Sequence, residues 1–143
     1  MKETDPLWDD IARFAYCCSW KAGPYLAKEM RNGAFTDWES VLTVLDDDCS
    51  IMGYCTVAKK DCLPDDVPFT PFIGFMFVDE AYRGNRLSEK LIGKAKEYLK
   101  EQGFEKVYLC SSEEGLYEKY GFVKLGDYAD KWGNAEQLFY CDL

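Results

Sequence analysis

Residues 78–92 combine a strand end, a tight turn and a helix start within one short segment. The apolar run Pro71–Val78 stops at two acidic residues, and an Arg83-Gly84 turn precedes an amphipathic helix. The first backbone N–H groups of a helix have no partner within the helix, and the positive end of its dipole favours an anion. Gly84 lets a ligand approach the backbone closely, and Arg83 and Arg86 add two cations. This pattern predicts a pyrophosphate-binding turn.

Two common phosphate-binding motifs are missing from the sequence. It contains no G-x-x-x-x-G-K-[ST], and no G-x-G-x-x-G follows a strand. The turn is therefore neither a nucleotide P-loop nor a dinucleotide fingerprint. Taken alone, it is equally compatible with an ordinary strand-to-helix connection that carries charged, solubilising residues.

Length and composition set the class of protein. The chain has 143 residues, of which 48% are apolar, so we expect one folded domain spanning residues 1–143. Seventeen basic and twenty-six acidic residues give a formal charge of −9. This charge argues against a nucleic acid partner, since affinity for a phosphate backbone comes largely from Lys and Arg. It suits a cationic or amine-bearing substrate.

The sequence also bears on compartment and metal chemistry. The N-terminus is polar and acidic, and no apolar stretch approaches the roughly 20 residues that span a bilayer. We therefore expect a cytoplasmic protein with no membrane partner. The seven cysteines form no C-x-x-C pair, so reduced thiols are expected. With no histidine in the chain, His-based triads and imidazole-dependent zinc sites are excluded, and we predict no metal site.

The first half of the chain predicts two helices and a hairpin. Asp5 is expected to cap the first helix, with Pro6 at its first position, and the second helix runs from Gly23 or Pro24 to about Arg31. Two strand-like segments follow on either side of a polar turn of three aspartates; they are Trp38–Leu45 and Ile51–Val57 around Asp46–Asp48.

The second half predicts a mixed sheet with helices packed over it. Phe69–Val78 is apolar on both faces, which indicates a central strand, and the helix after it spans about Asn85–Gln102. The remaining predicted elements are a short strand, a short helix and two further strands: Lys106–Cys110, Glu113–Tyr120, Phe122–Gly126 and Ala135–Leu143.

The strand, the Arg-Gly turn, the helix and the later Gly115–Phe122 (G-L-Y-E-K-Y-G-F) together resemble the GNAT superfamily of acetyl-CoA-dependent N-acetyltransferases. The resemblance covers about Ile51–Leu125. The turn in that family reads [Q/R]-x-x-G-x-[G/A], and here it reads R-G-N-R-L-S over Arg83–Ser88. Arg86 and Ser88 thus replace the later glycines. We call Arg83–Ser88 the anion-binding turn.

The resemblance implies an α/β fold with a mixed, mostly antiparallel sheet, a splayed central strand and helices on both faces. The family's first strand is expected to be missing before the first helix. The resemblance also implies acetyl-CoA as the acetyl donor. The residues that it assigns to binding acetyl-CoA are Met76, Phe77, Val78, Arg83, Gly84, Asn85, Arg86, Leu87 and Ser88.

The family tyrosine that lies near the sulfur of the donor falls on Tyr117. Aminolysis of a thioester expels a thiolate, which a proton donor stabilises, so the resemblance implies that Tyr117 is a catalytic acid. Taken alone, the stretch would also fit a half-buried aromatic residue on a short helix. Tyr120, three residues on, is assigned to packing.

The sequence departs from the family where an Asn and an Ala are frequent, at Cys110 and Glu113. Contacts to the pantetheine arm are then expected from Ser111 or Ser112. Cys110 as a nucleophile is a minor alternative, because without histidine its activation would need a helix N-terminus or a lysine. A buried structural cysteine is favoured.

The function implied is transfer of an acetyl group from acetyl-CoA to a primary amine of a small molecule or peptide by direct attack. A backbone N–H near Phe77 or Val78 would polarise the acetyl oxygen. The general base is unassigned. The alternative is an acyl-CoA-binding regulatory module without turnover. An exposed C-terminal strand is expected to permit a homodimer.

Overall fold

The computed structural model describes residues 5–18, 22–35, 38–60, 68–83, 86–111 and 113–143. Its helices are α1 (Trp8–Cys17), α2 (Gly23–Arg31) and α3 (Leu87–Glu101). Its strands are β1 (Ser40–Leu45), β2 (Ile51–Ala58), β3 (Phe72–Val78), β4 (Lys106–Ser111), β5 (Val123–Ala129) and β6 (Ala135–Asp142). Two short 3₁₀ turns cover Glu80–Tyr82 and Tyr117–Tyr120.

The six strands form one sheet in the order β1-β2-β3-β4-β6-β5. β3 and β4 are parallel, whereas β6 is antiparallel to both β4 and β5. The predicted fold class, a mixed and mostly antiparallel α/β sheet, is confirmed. The chain divides into two compact units, one comprising residues up to Thr56 together with Phe75–Leu91, the other Val57–Gly74 and Ile92–Leu143.

The first unit is built on one buried face of each N-terminal helix. Trp8, Ile11 and Ala15 recur at helical spacing on α1 and are buried, as are Leu26 and Met30 on α2. The Trp8 indole N–H donates to the Met30 carbonyl at 3.3 Å, which ties the two helices together. Buried Val41, Tyr54 and Phe77 from the strands complete this core. Thus a continuous apolar core supports the C-terminal end of β3.

The second unit alternates its side chains between two sheet faces, as strand geometry requires. On β4, Val107 and Leu109 are buried, whereas the intervening Tyr108 packs in a separate cluster around Phe72 and Leu138.

Within the described residues, no helix is both long and apolar enough to cross a membrane.

Several helices and strands begin or end at residues other than those that the apolar pattern predicts, because backbone hydrogen bonding determines their ends. The prediction that Asp5 caps the first helix is wrong, since α1 begins at Trp8. Asp5 Oδ1 instead accepts from the Leu7 N–H at 2.9 Å and closes the preceding turn. β3 begins at Phe72, not at Phe69, because Pro71 has no N–H for a strand ladder.

The predicted helix Glu113–Tyr120 is also wrong, because only its last four residues turn, as a 3₁₀ segment. Gly115 has a φ of +76°, which is incompatible with a helix through this position. β5 extends to Ala129 rather than stopping at Gly126, since an irregularity between Lys124 and Gly126 lets its pairing with β6 continue.

The C-terminal strand does not lie at the edge of the sheet. β6 pairs on one side with β4 and on the other with β5, so β5 is the edge strand. The expectation of an exposed C-terminal strand is therefore wrong, because pairing over a long sequence separation places β6 inside the sheet. The homodimer predicted from that exposed strand loses its structural basis.

At Gly53 of β2, the backbone of β3 comes so close that only glycine fits. A Cβ at this position would lie 2.6 Å from the Phe77 carbonyl oxygen and 3.2 Å from the Val78 Cα. We expect Gly53→Ala to lower the free energy of unfolding by about 1–3 kcal/mol, because backbone must shift to admit the methyl group. Urea denaturation measures this change.

Gly93→Ala is the matched control, because Gly93 is exposed within α3 and an added Cβ meets nothing within 4 Å. It is expected to raise the free energy of unfolding by about 0.5–1 kcal/mol through helix propensity. Equal responses of the two variants would contradict the close approach at Gly53.

Candidate active site

The end of β3 is held by a cluster of aromatic rings within the first unit. Phe77 is 6% exposed, and its ring centre lies 5.7 Å from that of Tyr54 and 6.1 Å from that of Phe14. The Asp79 N–H donates to the Met52 carbonyl at 2.8 Å, directly after the strand. These contacts fix the backbone of Met76–Val78, the part of β3 that sequence reasoning assigns to donor binding.

β3 contains a local irregularity at Phe75. This residue has a φ of +45°, which is unusual for a bulky side chain. The described β3–β4 ladder joins Phe72 with Tyr108 and Ile73 with Leu109, both before Phe75. Phe75–Val78 thus lie outside that described ladder, in agreement with an irregular central strand.

Acidic side chains after β1 and after β3 accept the hydrogen bonds that close turns. Asp79 Oδ1 accepts from the Ala81 N–H at 3.0 Å and caps the first 3₁₀ turn. The Tyr82 hydroxyl donates to Asp46 Oδ2 at 3.0 Å, while Asp46 Oδ1 accepts from the Asp48 and Ser50 N–H groups. The predicted polar turn at Asp46–Asp48 is confirmed.

The same hydrogen bonds shift two pKa values. The Ser50 N–H, and then the Tyr82 hydroxyl, lower the pKa of Asp46 by stabilising its charged form. The bond to Asp46 raises the pKa of Tyr82 by stabilising its protonated form. Asp46 and Asp79 therefore act as structural acceptors, and neither gains support as a general base.

Arg83 folds back over the end of β3. Its Nε donates to the Val78 carbonyl at 3.1 Å, and its Cζ lies 5.9 Å from the centre of the Phe77 ring. Across the described part of the chain, no acidic side chain forms an ion pair with Arg83 or Arg86. The two charges can consequently interact with an incoming anion.

Arg86 and Leu87 give the start of α3 its shape. Arg86 has a φ of +56°, and its carbonyl accepts the Lys90 N–H at 3.2 Å. A residue of positive φ followed by a helical residue turns successive N–H groups toward one concave side, an arrangement that binds anions. Leu87 is 5% exposed and anchors this turn, while Ser88 is half-buried. Gly84 and Asn85 lie outside the described residues.

The backbone at Arg86 has a conformation that glycine favours. Arg86 occupies a position where the family pattern has Gly, and its φ of +56° lies in the left-handed region. No sequence signal reveals a positive φ at an arginine.

Tyr117 lies in the second unit, where its ring is buried among other aromatic rings. It is 6% exposed, and its ring centre lies 6.1–6.2 Å from those of Tyr120, Phe122 and Phe139. The Phe122 N–H donates to the Tyr117 carbonyl at 3.1 Å, and Gly121, with a φ of +92°, permits this reversal. The ring is therefore more buried than the half-buried residue that the sequence suggested.

The other residues considered near Tyr117 make contacts within the second unit. The Tyr120 carbonyl accepts from Lys96 Nζ at 2.9 Å, and the Tyr120 ring lies edge-on to that of Tyr117, with 6.1 Å between the ring centres. Cys110 packs against the Phe72–Leu138 cluster, and Ser111 Oγ accepts from the Glu113 N–H at 3.0 Å. Ser112 lies outside the described residues.

The described cysteines, possible metal ligands and N-terminal aromatic residues were also considered as parts of a site. None of the six described cysteines forms a disulfide. Over the ranges that the structure describes, no group of three His, Cys, Asp or Glu side chains could hold a metal ion. Of the N-terminal aromatic residues, Trp8 belongs to the core and Phe14 packs against it, whereas Tyr16 and Tyr25 are exposed.

Residues 6–122 match the model of the acetyltransferase (GNAT) family. The chain belongs to this family. The match includes β3, the anion-binding turn and α3 as well as Tyr117, and so it covers both motifs on which the resemblance rests. No curated protein sequence matches the chain.

Several solved acetyltransferase structures have a fold similar to that of this chain. A GNAT-family acetyltransferase of Staphylococcus aureus Mu50 is 16% identical, with a TM-score of 0.68 over 100% of this chain and 97% of that one. A chimeric spermidine N-acetyltransferase built partly from the Vibrio cholerae enzyme is 16% identical, with a TM-score of 0.72 over 94% and 91%. An aminoglycoside 6'-N-acetyltransferase in complex with coenzyme A is 13% identical, with a TM-score of 0.70 over 99% and 94%. At these identities the likeness concerns the fold.

The backbone conformation at Arg86 can be tested by substitution. We expect Arg86→Gly to keep the free energy of unfolding within about 1 kcal/mol, since relief of the positive φ offsets the greater entropy of the unfolded chain. Arg86→Val should lower it by about 1 kcal/mol or more, because a β-branched residue tolerates this φ poorly. Thermal and urea denaturation would measure both, and equal stability of the variants would refute the left-handed conformation.

Proposed function

We propose that this protein transfers the acetyl group of acetyl-CoA to a primary amine of a small molecule or peptide. The observation that carries the proposal is the family match across the β3–turn–α3 segment, where Arg83 and Arg86 have no acidic partner among the described residues. GNAT-family folds in complex with coenzyme A include the aminoglycoside 6'-N-acetyltransferase described above.

The residues of the anion-binding turn fit a pyrophosphate. The positive φ of Arg86 and the buried anchor Leu87 support a concave set of N–H groups at the start of α3. We assign the diphosphate to these N–H groups, including that of Ser88, and to the Arg83 and Arg86 guanidinium groups. By resemblance, Gly84 and Asn85 complete the turn.

Acetyl-CoA supplies an activated acetyl thioester, and the chain would bind it along β3. We assign the backbone of Met76, Phe77 and Val78 to this role, with an N–H near Phe77 or Val78 polarising the acetyl oxygen. The packing of Phe77 between Tyr54 and Phe14 supports the assignment, since a preorganised donor needs a fixed backbone.

Tyr117 is proposed as the acid that protonates the departing thiolate. Burial of its ring against Phe122 and Phe139 favours one orientation of the phenol, which a positioned proton donor requires. The attacking amine must lose a proton as well. Because Asp46 and Asp79 accept structural hydrogen bonds, we assign no side chain to that step.

The net charge of the chain supports one class of acceptor. The chain carries a net charge of −9, and some proteins of similar fold are named for spermidine and aminoglycosides, which carry several amines. These properties support a cationic amine as the acceptor and direct attack by its neutral form on the thioester.

Donor binding can be tested by isothermal titration with acetyl-CoA. Arg83→Ala should weaken binding about tenfold, because one charge-assisted contact to a phosphate is lost. Arg13→Ala is the control: Arg13 is exposed and pairs with Asp10 at 3.0 Å on α1, so its loss changes net charge equally without touching the turn. Equal weakening in both variants would refute a local role of Arg83.

Catalysis can be separated from binding at Tyr117. Tyr117→Phe keeps the buried ring but removes the proton donor, so turnover should fall by a factor of about 10²–10⁴ while acetyl-CoA affinity is retained. Thiol release across a panel of amines measures turnover, and Tyr120→Phe, which is expected to keep full activity, is the control.

The regulatory alternative makes a different prediction for the same assay. If the wild-type protein binds acetyl-CoA but transfers to none of a broad panel of amines, the acyl-CoA-binding module gains support. Turnover that is unchanged in Tyr117→Phe would reject Tyr117 as the acid.

A further inference from the structure

One face of the sheet in the second unit carries a row of half-buried aromatic rings. Phe69 lies with its ring centre 4.9 Å from that of Tyr108 and 6.4 Å from that of Tyr128, and it is nearly perpendicular to the latter. These rings surround the buried pair Phe72 and Leu138. We call Phe69, Tyr108 and Tyr128 the aromatic row.

The strand register places a carboxylate at one end of this row. Tyr128 of β5 lies directly opposite Glu136 of β6, so the two side chains project from the same face, with Cβ atoms about 5 Å apart. Alternation along β6 puts Glu136 on the face of Leu138. An organic ammonium ion binds over the face of an aromatic ring by a cation–π interaction, and to a carboxylate by a charge-assisted hydrogen bond. Tyr128 and Glu136 supply one group of each kind.

The Tyr128 ring lies along its own strand, over Gly126. A Cβ on Gly126 would be 3.6 Å from Tyr128 Cε2, which is ordinary van der Waals contact. The edge-on contact with Phe69 also keeps the ring on the face that carries Leu138.

Glu136 lacks a partner among the described residues. It is half-buried, and no described Lys or Arg forms an ion pair with it. Partial burial, and then the charge of Asp130, raise the pKa of Glu136. Asp130 itself accepts from the Trp132 and Asn134 N–H groups. The attraction of a bound cation would offset both effects by stabilising the charged form of Glu136.

At the opposite end of β6, a tyrosine and a carboxylate on the same sheet face already hold a lysine. Lys106 Nζ lies 4.8 Å from the centre of the Tyr140 ring and 2.6 Å from Asp142 Oδ1. Tyr140 and Asp142 share the face of Leu138 and Glu136, since they alternate along one strand. The same sheet face thus places an ammonium ion over a tyrosine and beside a carboxylate at one end, using its own side chain.

We propose that Tyr128 and Glu136, flanked by Phe69 and Tyr108, bind the ammonium group of a small organic cation. The ammonium ion lies over the Tyr128 ring and pairs with Glu136, as Lys106 does with Tyr140 and Asp142. Binding at this surface does not depend on acetyl transfer, although an amine bound there is a natural acceptor under the proposed function.

Spermidine is a suitable probe, titrated into isotope-labelled full-length protein without acetyl-CoA and followed by amide chemical shifts. Shifts are expected to concentrate at Tyr128, Glu136 and Tyr108. Glu136→Gln should weaken binding about tenfold, since a charge-assisted pair is lost. Tyr128→Leu should weaken it about three- to tenfold, whereas Tyr128→Phe, which keeps the ring, should stay within about twofold.

Glu114→Gln is the matched control, because Glu114 is exposed and the variant removes the same unit of charge. Equal weakening by Glu114→Gln and Glu136→Gln would show general attraction to an acidic protein and overturn the proposal. Shifts confined to other surfaces would overturn it as well. Should Tyr128→Leu fail to fold, Tyr128→Phe and Glu136→Gln still decide the question. Because acetyl-CoA is omitted, a negative result leaves the transfer proposal untouched.

Discussion

The anion-binding turn depends on how the last residues of β3 are held against β2. Gly53 is the central constraint, since a single methyl group there would lie 2.6 Å from the Phe77 carbonyl oxygen. This close approach brings Phe77 onto Tyr54, with ring centres 5.7 Å apart, and permits the bond from Asp79 to Met52. The Val78 carbonyl is then in place to accept Arg83 Nε. These contacts lie side by side, so packing of β3 against β2 positions the backbone from which the turn begins.

The sequence predicted those elements whose signal is local and strong. β3 and α3 follow from a continuous apolar run and from apolar residues at helical spacing, and both were found within three residues of their predicted ends. The hairpin turn at Asp46 follows from three consecutive aspartates, whose side chains compete for backbone N–H groups. In each case the controlling interactions lie close in sequence.

The placement of β6 has the opposite property. Placing β6 between β4 and β5 depends on pairing Ser111 with Gln137, a contact over 26 residues that no local pattern encodes. The positive φ of Arg86 and of Phe75 is equally invisible, because neither residue type signals it. For Tyr117, the motif could supply the residue but not the burial of its ring by Phe139, which comes from the last strand.

The distribution of charge gives the chain two different local environments despite its net charge of −9. Exposed charges interact over roughly a Debye length of 8 Å in physiological salt, so the groups nearest a ligand matter more than the total. At the start of α3, Arg83 and Arg86 have no described acidic partner, and the helix dipole adds to their effect. At β6, Glu136 lies opposite Tyr128 in the strand register, and no described basic side chain pairs with it. Under the proposed function, an anionic donor and a cationic acceptor call for surfaces of opposite sign, and local pairing rather than composition creates them.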